Sequence, residues 1–205
     1  MLRLKIRVRK QSRVVRGWAT ISPTYLAGDI VLVRGYSLIS RLIRLFTRSR
    51  WERPTVVNHV GVMVDSINIV ESAGKTIKHG LADYNSSRDT IYIVRRVDMT
   101  GWQRIAVAKK AETYVGRQYG WLKILAHGLD RLLGNIYLFR QLARMDKYPI
   151  CSWVVAYAYR QVGLNFGVYP WVADPDDIWD YCIEKESKQS FQVIFAMREG
   201  RGEWS

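Results

Sequence analysis

Cys151 opens an apolar segment, Cys151-Ser152-Trp153-Val154-Val155-Ala156-Tyr157-Ala158-Tyr159, that follows Tyr148-Pro149-Ile150 directly. Read as a helix, the segment puts a thiol in its first turn, where unpaired backbone N–H groups and the helix dipole favour a thiolate. The thiolate is the nucleophile of cysteine enzymes. Well upstream, His59 begins a short strand, Asn58-His59-Val60-Gly61-Val62-Met63-Val64, and the chain then returns to Val70-Glu71-Ser72. A cysteine, a histidine and a carboxylate on regular elements are the parts of a thiol hydrolase.

The pairing of the last two follows from side-chain alternation. Val60, Val62 and Val64 make one aliphatic face, which leaves His59, Gly61 and Met63 on the other. Setting Val62 opposite Val70 keeps that face intact and sets Gly61 opposite Glu71. His59 and Glu71 are then diagonal neighbours, roughly 7–8 Å apart at the backbone, within side-chain reach of each other. A slip of one residue would carry Glu71 into the valines, at the cost of burying a carboxylate. A carboxylate on one imidazole nitrogen orients the ring and leaves the other nitrogen for a nucleophile. The Cys151 backbone N–H and one further donor could then bind an oxyanion.

Each part has a plainer explanation. A cysteine in an apolar helix is usually packing, a histidine at a strand start is usually structural, and Glu71 could be a solvated strand residue. Cys182, inside a helix between Tyr181 and Ile183, is read as packing. His79 and His127 have no evident partner and are read as structural.

The supporting elements read as a mixed α+β domain with an antiparallel sheet. Leu26 to Val33 is a turn and buried strand. A basic amphipathic helix is expected over 37–48, a strand over 90–94 and a helix over 102–115 that stops at Gly116. A weaker helix is expected from Gly120 to Leu133 and a short one over 135–145, before the Cys151 helix, which ends at Gly163. Asp174-Pro175-Asp176-Asp177 starts another helix, and 191–196 is a final strand. Residues 2–9 alternate Leu, Leu, Ile and Val with Arg and Lys, as an edge strand or basic arm does. The chain therefore divides into a basic N-terminal strand or arm, 1–20, and a domain over 21–205, single-domain overall.

Composition limits the partners. The chain has 32 Lys+Arg against 18 Asp+Glu, a net charge of +14, which suits an anionic polymer, a membrane surface or an acidic protein. Basic residues 1–16 and the helix over 37–48 are the segments to make such contacts. Nucleic acid is disfavoured, because no helix-turn-helix, zinc or aromatic-basic stacking motif is present. Two Cys and three His with no Cys-x-x-Cys or His-Glu-x-x-His give no expectation of a disulfide framework, a metal or any other cofactor. Hydrophobic residues are 48% of the chain, enough for a core. The start lacks the apolar stretch of a signal peptide and no segment is apolar enough to span a bilayer, so cytoplasmic synthesis is expected.

The order Gly28-Asp29-Ile30-Val31-Leu32, an arginine-rich apolar helix, Asn58-His59-Val60-Gly61-Val62, Val70-Glu71-Ser72 and Cys151-Ser152-Trp153-Val154-Val155 resembles the circularly permuted branch of the NlpC-type papain-like cysteine peptidases. This is the branch of the YiiX/YaeF-like amidases, with lecithin retinol acyltransferase a more distant relative. The likeness runs from about Gly28 to Ala196, with the histidine strand first and the cysteine helix last. It implies a permuted papain-like fold, Cys151 as nucleophile, His59 as base and Glu71 as the group orienting it. Arg95 also resembles a frequent family position, with no chemistry attached. The implied activity is a cysteine amidase or peptidase acting through a thioester, with cell-wall peptides (peptidoglycan) as substrate and a phage virion as one setting. Two alternatives stay open. One is a lipid acyltransferase or thioesterase with the same triad, and the other a non-catalytic basic virion or assembly protein that keeps the fold.

Overall fold

Alternating apolar residues build one antiparallel sheet. The computed structural model describes residues 24–35, 56–86, 89–118, 120, 149–184 and 190–197. Within them are six strands: β1 (Ile30–Arg34), β2 (His59–Met63), β3 (Asn68–Ala73), β4 (Lys75–Gly80), β5 (Thr90–Arg96) and β6 (Phe191–Met197). They lie in the order β4-β3-β2-β1-β5-β6, every neighbouring pair antiparallel. The described helices are α1 (Gly101–Glu112), α2 (Cys151–Arg160) and α3 (Pro175–Trp179), with a 3-10 segment at Leu81–Ser86 and a π turn at Asp180–Glu184. The mixed α+β class and the antiparallel sheet are those expected. The expected strand over 2–9, the basic helix over 37–48, the helix from Gly120 to Leu133 apart from Gly120 itself, the helix over 135–145, and His127 lie outside the described residues.

Both faces of the sheet are buried. One carries Ile30, Leu32, Val60, Val62, Val70 and Val94 against Val107, Ala108 and Ala111 of α1 and Trp153, Val154 and Ala158 of α2. The other carries Val31, Val33, Met63, Ile69, Ile91 and Ile93, with Leu81, Tyr25, Tyr84 and Phe195 packed on them. Each such aliphatic side chain contributes about 1.5–3 kcal/mol by leaving water. The β2–β3 register is Gly61 opposite Glu71 and Val62 opposite Val70, the one the valine face dictates.

The strand β4 is a correction, because the sequence reading has no strand between Glu71 and Leu81. β4 is an edge strand whose buried inward residue is Thr76, hydrogen-bonded at 2.9 Å to buried Ser72. A polar pair in the sheet interior leaves no apolar alternation to read. Gly74, at φ +83°, makes the tight turn from β3 into it.

Gly28-Asp29 proves to be a clamp. Asp29 is 0% exposed; Arg95 donates to its Oδ1 at 2.9 Å and its Oδ2 at 2.6 Å, and Arg104 approaches Oδ1 at 3.4 Å. The Leu26 N–H donates to Oδ2 at 2.8 Å. One carboxylate thus ties β1 to β5 and α1, which gives Arg95 a structural role. Asp29→Ala leaves two guanidinium groups short of their partner and is expected to lower the unfolding free energy by about 3 kcal/mol. Urea denaturation reads this, and an unchanged midpoint would refute the clamp.

Candidate active site

The three residues singled out in the sequence come from three elements. His59 is the first residue of β2, Glu71 lies near the end of β3, and Cys151 is the first residue of α2. Since β2 and β3 are antiparallel, His59 and Glu71 share one end of the sheet. The approach to α2 is fastened at that same end: Ser72 Oγ donates to the Pro149 carbonyl at 3.2 Å. Deeper in the fold, Ser152 Oγ donates to the Ala173 carbonyl at 2.7 Å, just before the capping box in which Asp174 and Asp177 start α3. These hydrogen bonds set where the helix begins, and so where the sulfur sits.

His59 Nε2 lies 3.0 Å from Glu71 Oε2 as a hydrogen-bonded pair. The side chains are 16% and 9% exposed, so the pair is only slightly hydrated. Cys151 faces the same imidazole, close enough to act on it both as a charge and as a hydrogen-bond partner. With Nε2 committed to Glu71, the ring nitrogen left for the sulfur is Nδ1. Gly61 is required between the histidine and the carboxylate: a Cβ there would sit 2.5 Å from Ile69 Cδ1 and 3.1 Å from Glu71 Cβ.

The electrostatics favour a proton on His59. Burial lowers its proton affinity, but the Glu71 charge, the Cys151 sulfur and the hydrogen bonds to both outweigh that and hold its pKa well above the ordinary value. For Glu71, burial works to raise the pKa; the His59 charge, the hydrogen bonds from His59 and Tyr84 and the close His79 ring prevail, holding the carboxyl well below the usual range. Glu71 is therefore a buried anion with a full set of donors.

Two of those donors were missed by sequence reasoning. Tyr84, in the 3-10 segment, donates its hydroxyl to Glu71 Oε2, the same oxygen that His59 holds. Burial, then the Glu71 charge, pushes the Tyr84 phenol far up, so it stays a donor. His79, read from sequence as partnerless, has two partners: Nε2 lies 3.1 Å from Glu71 Oε1, and Nδ1 lies 3.0 Å from Asp83 Oδ2. The first contact is off the line of a hydrogen bond and counts as an ion pair. Extending the β3 register across the Gly74 turn would have found His79, because it puts Ile69 opposite His79.

Cys182 behaves as packing. It is 2% exposed within the main core, and burial pushes its thiol far up despite the opposing charge of Arg96. Cys151, at 4% exposed, is also covered, but differs in lying against an ionisable ring. A surface groove lined by Arg160, Leu164, Asn165 and Tyr169 lies at the other end of α2 and holds neither nucleophile nor base.

No protein-family model matches the chain, and no curated protein matches it in sequence. Its fold is similar to that of the crystal structure of the metalloprotein YiiX from Escherichia coli O157:H7, with a TM-score of 0.57 and 15% identity over 86% of this chain and 98% of that one. Among the described residues, no three His, Cys, Asp or Glu are grouped to hold a metal ion. His59, His79 and Tyr84 are instead turned onto the two oxygens of Glu71, so the donors present do not fit a metal centre. Among the described residues, no helix is long and apolar enough to cross a membrane.

Proposed function

We propose that this chain is a cysteine amidase or peptidase of the permuted papain-like type, close in design to the YiiX/YaeF-like amidases. The observation that carries the proposal is that one imidazole, His59, is held by the Glu71 carboxylate at 3.0 Å and is also influenced by the Cys151 sulfur as charge and hydrogen-bond partner. The fold shared with YiiX accords with it, as does the chain order, histidine strand first and cysteine helix last.

The chemistry runs through a thioester. His59 Nδ1 takes the thiol proton, and the sulfur attacks the amide carbonyl carbon, forming the C–S bond while the C=O π pair moves onto oxygen. The residue before α2, Ile150, supplies no side-chain cap, which leaves first-turn backbone N–H groups to receive that oxyanion. Collapse of the tetrahedral species breaks the C–N bond, and His59 gives its proton to the departing amine. Water, deprotonated by His59, then attacks the thioester and releases the carboxylic acid and the thiolate. Glu71 holds the ring in place throughout and stabilises its protonated form.

The net charge of +14 favours substrates embedded in anionic polymers, and peptidoglycan peptides are the class we propose. A lipid acyltransferase or thioesterase is the second reading. Its support is Trp102 and Ile105, 64% and 55% exposed one helical turn apart on α1, in the helix that carries Lys109 and Lys110. One experiment separates the two: incubate the protein with muropeptides or with anionic phospholipid vesicles, quench in acid, and map adduct masses by mass spectrometry. A peptidyl adduct on Cys151 is the expected result, and a fatty acyl adduct there selects the second reading. If an iodoacetamide control labels Cys182 but never Cys151, both readings fail.

A further inference from the structure

Glu71 is gripped from more sides than a simple triad requires, and one grip is titratable. Its Oε2 is shared by His59 Nε2 and the Tyr84 hydroxyl, while its Oε1 faces His79 Nε2 at 3.1 Å. We infer that His79 is a positioning residue which, by gaining or losing its own proton, sets how strongly Glu71 holds the proton of His59 and so gates the site with pH. This inference rests on the proposed hydrolase reading for its consequence, but not for its physical basis.

That basis is geometric. Both ring nitrogens of His79 face carboxylates, Nε2 toward Glu71 and Nδ1 toward Asp83 at 3.0 Å. A protonated ring offers an N–H to each; a neutral ring must turn a lone pair toward one of them. The other described groups around it agree with this. The Tyr84 ring lies 5.9 Å away, centroid to centroid, and its hydroxyl goes to Glu71. His59 on β2 stands beyond Glu71, and the neighbouring Lys78 on β4 is paired with Glu112 and Asp65 instead. The 3.1 Å contact with Glu71, partly offset by burial and reinforced by the Glu71 charge and Asp83, raises the His79 proton affinity.

When both imidazoles are protonated, two cations share one buried carboxylate. Each then weakens the hold of Glu71 on the other, so the two titrations are coupled and the coupling is reciprocal. Loss of the His79 proton frees Glu71 to bind the His59 imidazolium more tightly. Asp83 gives the device its link to solvent: its side chain is 67% exposed, against 9% for Glu71. His79 therefore joins a buried carboxylate to an exposed one, and reports bulk pH to the ring that faces Cys151.

The test follows the His59 ring nitrogens by NMR across pH in the full chain made with isotope-labelled histidine. His79→Gln removes the competing cation and is expected to move the His59 titration to higher pH. Asp83→Asn, at an exposed position, is expected to move the His79 titration down and the His59 titration up. An unchanged His59 curve in a folded His79→Gln protein overturns the inference. Should that variant not fold, Asp83→Asn decides alone, since a His79 titration that moves without His59 following refutes the coupling. With a cleavable amide in hand, His79→Gln moves the alkaline limb of kcat/KM upward, whereas a merely structural histidine would lower kcat/KM alike at every pH. Coupled titrations without any hydrolysis would sink the hydrolase reading and leave this inference standing.

Discussion

Alanine at position 151 is expected to remove the proposed amide hydrolysis, with kcat/KM falling by about 10⁴-fold or more, because the proposed thioester forms on that sulfur. The fold survives the change, since truncating a small buried side chain to Ala costs about 1–2 kcal/mol, a modest fraction of the stability of a domain this size. The companion variant Cys182→Ala retains activity, because that sulfur is sealed in the core and far from His59 in role as well as reactivity. Progress curves on a muropeptide or a fluorogenic amide, with circular dichroism as the folding control, read both. A Cys151→Ala protein that keeps a tenth of the wild-type rate would end the proposal.

Glu71→Gln is expected to cost about 10²–10⁴-fold in kcat, with KM much less affected. The amide can present a donor to His59 Nε2, which turns the ring toward the tautomer that carries its hydrogen on Nδ1, facing the sulfur. A ring in that state cannot accept the thiol proton. The same substitution alters stability with pH, and the sign differs on the two sides. Glu71 has its pKa depressed in the folded protein, so its contribution is complete above the ordinary glutamate value of about 4.5 and is lost as pH falls below it. His59 has its pKa raised, so its contribution is complete below the ordinary histidine value of about 6.5 and is lost as pH climbs toward the folded value. The pair therefore stabilises most between these two values. Thermal midpoints of the wild type should fall away on both sides of that window, and those of Glu71→Gln should be flatter. Parallel curves would show that the pair carries no pH-dependent stability.

How much of this was legible in sequence depended on where apolar residues marked the register. Val60, Val62 and Val70 could be buried together in only one way, and that alone brought His59 and Glu71 into reach. Cys151 was legible as a helix start, yet spacing could not bring it to His59; that took the packing of α2 against the sheet and the fastening of Pro149 to Ser72. His79 and Tyr84 were missed for a related reason. They depend on β4 and on the 3-10 segment after it, and β4 buries Thr76 against Ser72 where a readable strand would bury a valine. The role of Arg95 was hidden because its partner Asp29 precedes it by 66 residues and only the sheet order, which sets β5 beside β1, makes them neighbours.

The order of the site along the chain has a consequence for biosynthesis. His59 and Glu71 sit on adjacent strands of a local hairpin, whereas Cys151 belongs to the far half of the polypeptide. A ribosome therefore releases the His59–Glu71 pair first, and local strand pairing can assemble it long before Cys151 is translated. A partly made chain that ends before position 151 carries no cysteine. On the proposed hydrolase reading, the site is complete only once the segment that bears Cys151 docks on the sheet.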